Sequence, residues 1–179
     1  MIKDFDNVNP VFGGNANSSN VQEIIEFVDY HRIPVAIHLK HNDEHWLQVV
    51  FEPEENPNIF LFTNSRDVGL VDFTMAVQSV RGKMVSARFH DSEFADAFQH
   101  FGMNQYIGES TLPKVLIEDR KNKLKFLLEG DVNEASIKQF IVDFMNEDLE
   151  PFVKSDPDPE HNSGPVKVIV GEMHASPSL

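Results

Sequence analysis

Three short apolar runs constrain this chain more than any other feature: PVAIHL (34–39), IFLFT (59–63) and KMVSARFH (83–90). Each reads as a buried strand. The segments between them have helical character. DEHWLQVVFEP (43–53) is a short helix stopped by Pro53, and VGLVDFTMAVQSVRG (68–82) is an amphipathic one. Strands joined through helices must run parallel to one another. Ahead of the first run, Val21, Ile24, Ile25 and Val28 recur at helical spacing behind the Asn/Ser-rich NANSSN, and Pro34 ends that helix. VFGG (11–14) is expected to form a further short strand. After the third run, Asp91 is expected to cap a helix over SEFADAFQHFG, with Gly102 as its stop. KVLIED (114–119) and KLKFLLEG (123–130) form an antiparallel pair about the turn RKNK. NEASIKQFIVDFMNEDLE (133–150) is a last helix with Ile137, Phe140, Ile141 and Phe144 on one face.

The order is therefore β-α-β-α-β-α-β-α-β-β-α, an α/β arrangement with helices packed on a mixed central sheet. It resembles the order of a thioredoxin-like domain. Leu112-Pro113, directly before KVLIED, stands where that fold carries a cis-proline, so Pro113 is expected to be cis. The chain has no cysteine, which excludes the Cys-x-x-Cys motif, disulfides, thiol catalysis and cysteine-ligated zinc. Its 15 basic and 29 acidic residues leave a net charge of −14 spread along the chain, which argues against nucleic acid as a partner. No run approaches the length of a membrane-spanning helix, so no membrane partner is expected either.

One string raises a different chemistry. His41-Asn42-Asp43-Glu44-His45 is literally H-x-x-E-H, a metalloprotease signature. That signature needs both histidines on one stable helix, a third ligand and a carboxylate placed to activate water. Asn42 and Asp43 read as a turn and N-cap, so His41 precedes the helix and the set breaks. His38 adds an imidazole nearby, but strand alternation directs it away from Leu39's neighbours. No metal site, cofactor or catalytic residue is expected. Paired acids such as Glu54-Glu55 sit in turns, and Gly13-Gly14 lacks the remainder of a phosphate loop.

The C-terminal part carries a specific resemblance. Leu149, Pro151, Lys154-Ser155, Pro157, Pro159, Pro165-Val166-Lys167 and Val170-Gly171 are similar to the boundary between the b′ and a′ domains of protein disulfide isomerases. Upstream, FVDYHRIPVAIHL, NIFLF, RGKMV and FGM match the b′ pattern in order. The implied division is the end of a preceding domain or linker (1–10), a thioredoxin-like b′ domain (11–149), an acidic Pro-rich x linker (150–164) and the first residues of a′ (165–179). The resemblance implies a non-catalytic module of the endoplasmic reticulum lumen. It would bind unfolded or misfolded polypeptides through an apolar pocket and support adjacent b and a′ domains. It also places the pocket at Leu39, Trp46, Leu47, Ala87, Ala97, His100, Phe101 and Leu124. Ala97 and His100 depart from the family's bulkier apolar pattern, and Phe101 keeps its aromatic ring. In the family the linker caps the pocket with an aromatic; His161 stands at that position, so capping falls to Phe152 or Val153. A second reading is an acidic calcium-binding thioredoxin-fold protein of the calsequestrin kind. That reading would need denser acids in long terminal runs, which this chain lacks.

Overall fold

A computed structural model describes residues 10–14, 21–64, 66–108 and 111–152. Helix α1 (Val21–Arg32) leads into strand β1 (Ile37–Leu39), α2 (Glu44–Phe51), β2 (Asn58–Thr63) and α3 (Leu70–Val77). Then follow β3 (Val85–His90), α4 (Ala95–His100), β4 (Lys114–Asp119), β5 (Leu124–Leu127) and α5 (Glu134–Met145). The sheet order is β1-β3-β2-β4-β5. Strand β3 runs parallel to both β1 and β2, whereas β4 is antiparallel to β2 and β5 to β4. This is the thioredoxin-like arrangement. Strands β1, β2 and β3, joined through α2 and α3, are parallel, and the β4–β5 hairpin is antiparallel. Strand β4 runs against β3 although α4 joins them, because it pairs with the far edge of β2; this corrects the expectation that every helix-linked strand is parallel.

Strand alternation divides the core into two layers. Ile59 and Leu61 of β2 and Val115 and Ile117 of β4 face α3 and α5, where Phe73, Val77, Ile137, Phe140 and Ile141 complete one cluster. Phe60 and Phe62 of β2 point the other way. They join Ile37, Leu39, Ala87, Phe89, Phe98 and Phe101 beneath α2 and α4. Phe62 packs edge-on against Phe98 and stacked against Phe89, with centroids 5.0 and 5.3 Å apart. Such aromatic packing adds about 0.5–1.5 kcal/mol per pair beyond area burial.

Two local expectations are corrected. VFGG is not a strand: Val11 is 86% exposed and Gly13 meets no neighbouring side chain, while the Phe12 ring packs on Phe27 of α1. Its apolar content serves helix packing, and the sheet's edge on that side is β1. Asp91 does not cap α4. Its N–H bonds to the Thr63 carbonyl and prolongs the β2–β3 pairing, and a further turn brings Phe94 N–H to the His90 carbonyl. The helix therefore starts at Ala95, with Phe94 at the N-cap. The Leu112–Pro113 peptide is cis. Of the proposed linker, Glu150–Phe152 are described, and Phe152 N–H donates to the Lys125 carbonyl of β5. Residues 153–179, His161 among them, and 1–9 lie outside the described residues, as does the boundary expected at 164/165.

Candidate functional site

On the α2–α4 side of the sheet the two helices leave a groove of about 660 Å³. Its character follows from helical spacing. Leu47 and Phe51 form one i, i+4 row on α2, and Ala97 and Phe101 form another along α4. Gln48 with Glu52, and Asp96 with His100, form the parallel polar rows. The result is an apolar floor with a charged rim, completed by Phe89 and Phe94 below and Arg120 above. Arg120 is held at the rim by donating to the Pro53 carbonyl at 2.9 Å. The rings of Phe51 and Phe101 stack at 6.5 Å, and Phe94 meets Phe89 edge-on at 5.5 Å.

The residues assigned to this pocket from sequence separate into three groups. Leu47, Ala97, His100 and Phe101 line the groove. Ala97 and Phe101 are nevertheless 5% and 2% exposed, so they form its buried wall more than its open surface. Leu39 and Ala87 are fully buried beneath the groove and do not line it, and Trp46 packs half-buried on the same cluster. Leu124 lies on the other face: it shares parity with Phe126 and lines a depression with Phe126 and Phe144. Lys125 points to the groove layer instead, its ammonium 4.8 Å from the Phe101 ring centroid and 3.2 Å from the His100 carbonyl. Phe51, Phe89 and Phe94 are the apolar lining residues that the sequence reading passed over, along with the polar Gln48, Glu52, Asp96 and Arg120. Phe51 was findable as the i+4 partner of Leu47; Phe94 reads as a core residue because α4 was expected to begin earlier.

The H-x-x-E-H string does not assemble. His41 sits in the turn before α2 with Asp43 as N-cap. The His41 ring packs on Phe94, whereas the His45 ring packs on Trp46. A different polar cluster does converge, on the sheet face away from the groove. His38 of β1 is the register partner of Arg88 of β3, and both alternate away from Leu39 and Phe89. Arg88 pairs with Asp67, which precedes α3, and its other nitrogen lies 3.2 Å from His38 Nδ1. His90 Nε2 lies 2.6 Å from Asp67 Oδ1. Glu93 Oε2 is 2.8 Å from His38 Nε2 and 3.7 Å from His90 Nδ1. Burial first, then the charges of Arg88 and His90, lower the His38 pKa from the usual histidine value, against the opposing pull of Glu93. Burial raises the Asp67 pKa, but the His90 hydrogen bond and Arg88 outweigh it, leaving the carboxyl below its usual value.

Comparison with known proteins agrees with this architecture. Residues 1–143 match the family described as thioredoxin-like domain. Protein disulfide isomerase-like 1-3 of Arabidopsis thaliana is 31% identical over 166 residues, 89% of this chain and 27% of that protein. Protein disulfide-isomerase of Hordeum vulgare is 33% identical over 159 residues, 86% of this chain and 30% of its own length. The chain thus spans under a third of the length of these relatives. The crystal structure of the bb fragment of ERp72 superposes with a TM-score of 0.52 at 14% identity, over 75% of this chain and 58% of that one, which shows a shared fold.

Proposed function

We propose that this chain, which belongs to the thioredoxin-like domain family as a cysteine-free relative of protein disulfide isomerases, holds unfolded or misfolded polypeptide in the groove between α2 and α4. The observation that carries the reading is the groove's composition: Leu47, Phe51 and Phe94 offer accessible apolar surface over a floor of packed rings, inside a polar rim. Unfolded chains share apolar side chains rather than a sequence, so such a surface suits many clients. The role is binding rather than thiol exchange, because the chain has no sulfhydryl to begin an exchange. Within a longer protein it would serve adjacent b and a′ domains in the endoplasmic reticulum lumen, a setting suggested by its similarity to protein disulfide isomerases.

The expected affinity is weak. Burying two or three client side chains gives roughly 1.5–3 kcal/mol each, and association costs about 4 kcal/mol or more. At the favourable end about 5 kcal/mol remains, a dissociation constant on the order of 0.1–1 mM, and poorer contacts bind more weakly still. Fast release is what a folding assistant requires.

The test is Leu47→Glu, which sets a carboxylate on the groove wall. A fluorescently labelled unfolded apolar peptide should bind about tenfold more weakly, a change of about 1.4 kcal/mol. Val71→Glu, on the exposed outer face of α3, should leave peptide binding unchanged. Equal affinity in both variants and the parent protein would remove the groove from the reading.

A further inference from the structure

We propose that His38 Nε2, His90 Nδ1 and Glu93 Oε2 form a binding site for one divalent ion of the zinc class. The three atoms lie within 4.8 Å of one another. Four ligands held tetrahedrally at about 2.0–2.1 Å stand about 3.4 Å apart. The two distances from Glu93 Oε2, 2.8 and 3.7 Å, fall on either side of that spacing. Two imidazoles and a carboxylate suit zinc better than calcium or magnesium, which prefer all-oxygen shells. Three protein ligands leave the fourth position to water or an incoming group.

The surroundings of His90 are those of a metal ligand. Asp67 Oδ1 accepts a hydrogen bond from His90 Nε2–H at 2.6 Å, which leaves the Nδ1 lone pair facing Glu93. A carboxylate behind a histidine in this way sets the tautomer and raises the basicity of the ligating nitrogen. His38 Nε2 supplies an independent observation. It is buried without a hydrogen-bond partner: Glu93 Oε2 is close enough, but off the line a hydrogen bond needs. An ion placed among the three atoms would satisfy that nitrogen.

Charge permits the ion. Arg88 and Asp67 neutralise each other as a pair, and Glu93 contributes one negative charge. Arg88 also sets a cost. A guanidinium only donates, so its 3.2 Å contact makes His38 Nδ1 the acceptor and leaves the proton on Nε2. Loading requires the other tautomer, with Arg88 releasing His38 while staying on Asp67. The site lies on the sheet face opposite the groove and depends on none of its residues. His41 and His45 have no part in it.

The experiment is a zinc titration of the chelator-treated full chain by calorimetry, together with nuclear magnetic resonance of the imidazole nitrogens. The expected result is one zinc per chain, with His90→Ala and Glu93→Gln each weakening binding about tenfold or more, and His45→Ala matching the parent. In the unsubstituted protein, zinc should shift His38 Nε2 and His90 Nδ1 and leave the rings of His41 and His45 in place, a readout that does not depend on any variant folding. Absence of saturable binding overturns the proposal. So does binding that survives His90→Ala, or nitrogen shifts confined to His41 and His45.

Discussion

Phe101→Ala separates a core residue from a binding residue. Phe101 was read from sequence as a pocket wall; in the structure it is 2% exposed, and the rings of Phe51, Phe60, Phe62, Phe89 and His100 lie around it. Truncating a buried Phe costs about 3–5 kcal/mol, the transfer term plus the cavity left behind. The crowded rings resist collapse into the space, which favours the upper half of that range. Loss of the Lys125 contact with the ring face adds about 0.5–1 kcal/mol. Each kcal/mol lowers the melting temperature of a chain of this size by about 2–4 °C, so a total loss of about 3.5–6 kcal/mol should lower the melting temperature by about 7–24 °C. Urea unfolding should move to a lower midpoint with an unchanged slope, since the surface exposed on unfolding is the same. Lys125→Ala alone should cost no more than about 1 kcal/mol, which assigns the larger part of the loss to the cavity. A loss below about 1 kcal/mol in Phe101→Ala, accompanied by weakened peptide binding, would refute the core assignment.

Gly69→Ala should destabilise by about 1–3 kcal/mol in thermal unfolding, because Gly69 has φ +81° and an added Cβ would stand 2.9 Å from Pro113 Cγ. Asn133→Ala should cost about 1 kcal/mol in urea unfolding. The Asn133 side chain accepts from Ser136 N–H at 3.0 Å, while Ser136 Oγ accepts from Asn133 N–H at 3.1 Å, and the substitution removes the first of these two bonds. The purified chain should not speed reactivation of a scrambled-disulfide substrate above the uncatalysed rate; measurable turnover would contradict the requirement for a thiolate.

The sequence by itself determined the order and type of the regular elements from α1 onward, though not the absence of a strand at VFGG, and through them the fold. That information is local. Apolar runs of strand length, helical periodicity in segments such as 133–150, and the breaks at Pro34 and Pro53 all act over a few residues. The alternation gives the common direction of β1, β2 and β3 but not the reversal of β4 behind α4, and Leu112-Pro113 was legible as a cis site from its place before β4. The beginning of α4 was not legible. Asp91 is a good capping residue, yet its backbone is engaged by Thr63 across the sheet, and a non-local bond outweighed a local preference.

The site was only partly legible, because membership of a groove depends on how two helices stand over the same sheet. Leu47, Ala97, His100 and Phe101 were placed by resemblance, but resemblance could not tell wall from floor. Nor could it keep Leu124 on the groove side, where the parity of β5 sets Lys125 instead. The His38, His90 and Glu93 cluster was beyond sequence reading altogether. H-x-x-E-H drew attention to histidines four residues apart, whereas the imidazoles that meet lie 52 positions apart, on strands β1 and β3. Only the parallel pairing of those strands sets His38 opposite Arg88. Two residues further along β3, the same side-chain parity brings His90 to the same face, with the two rings 4.5 Å apart.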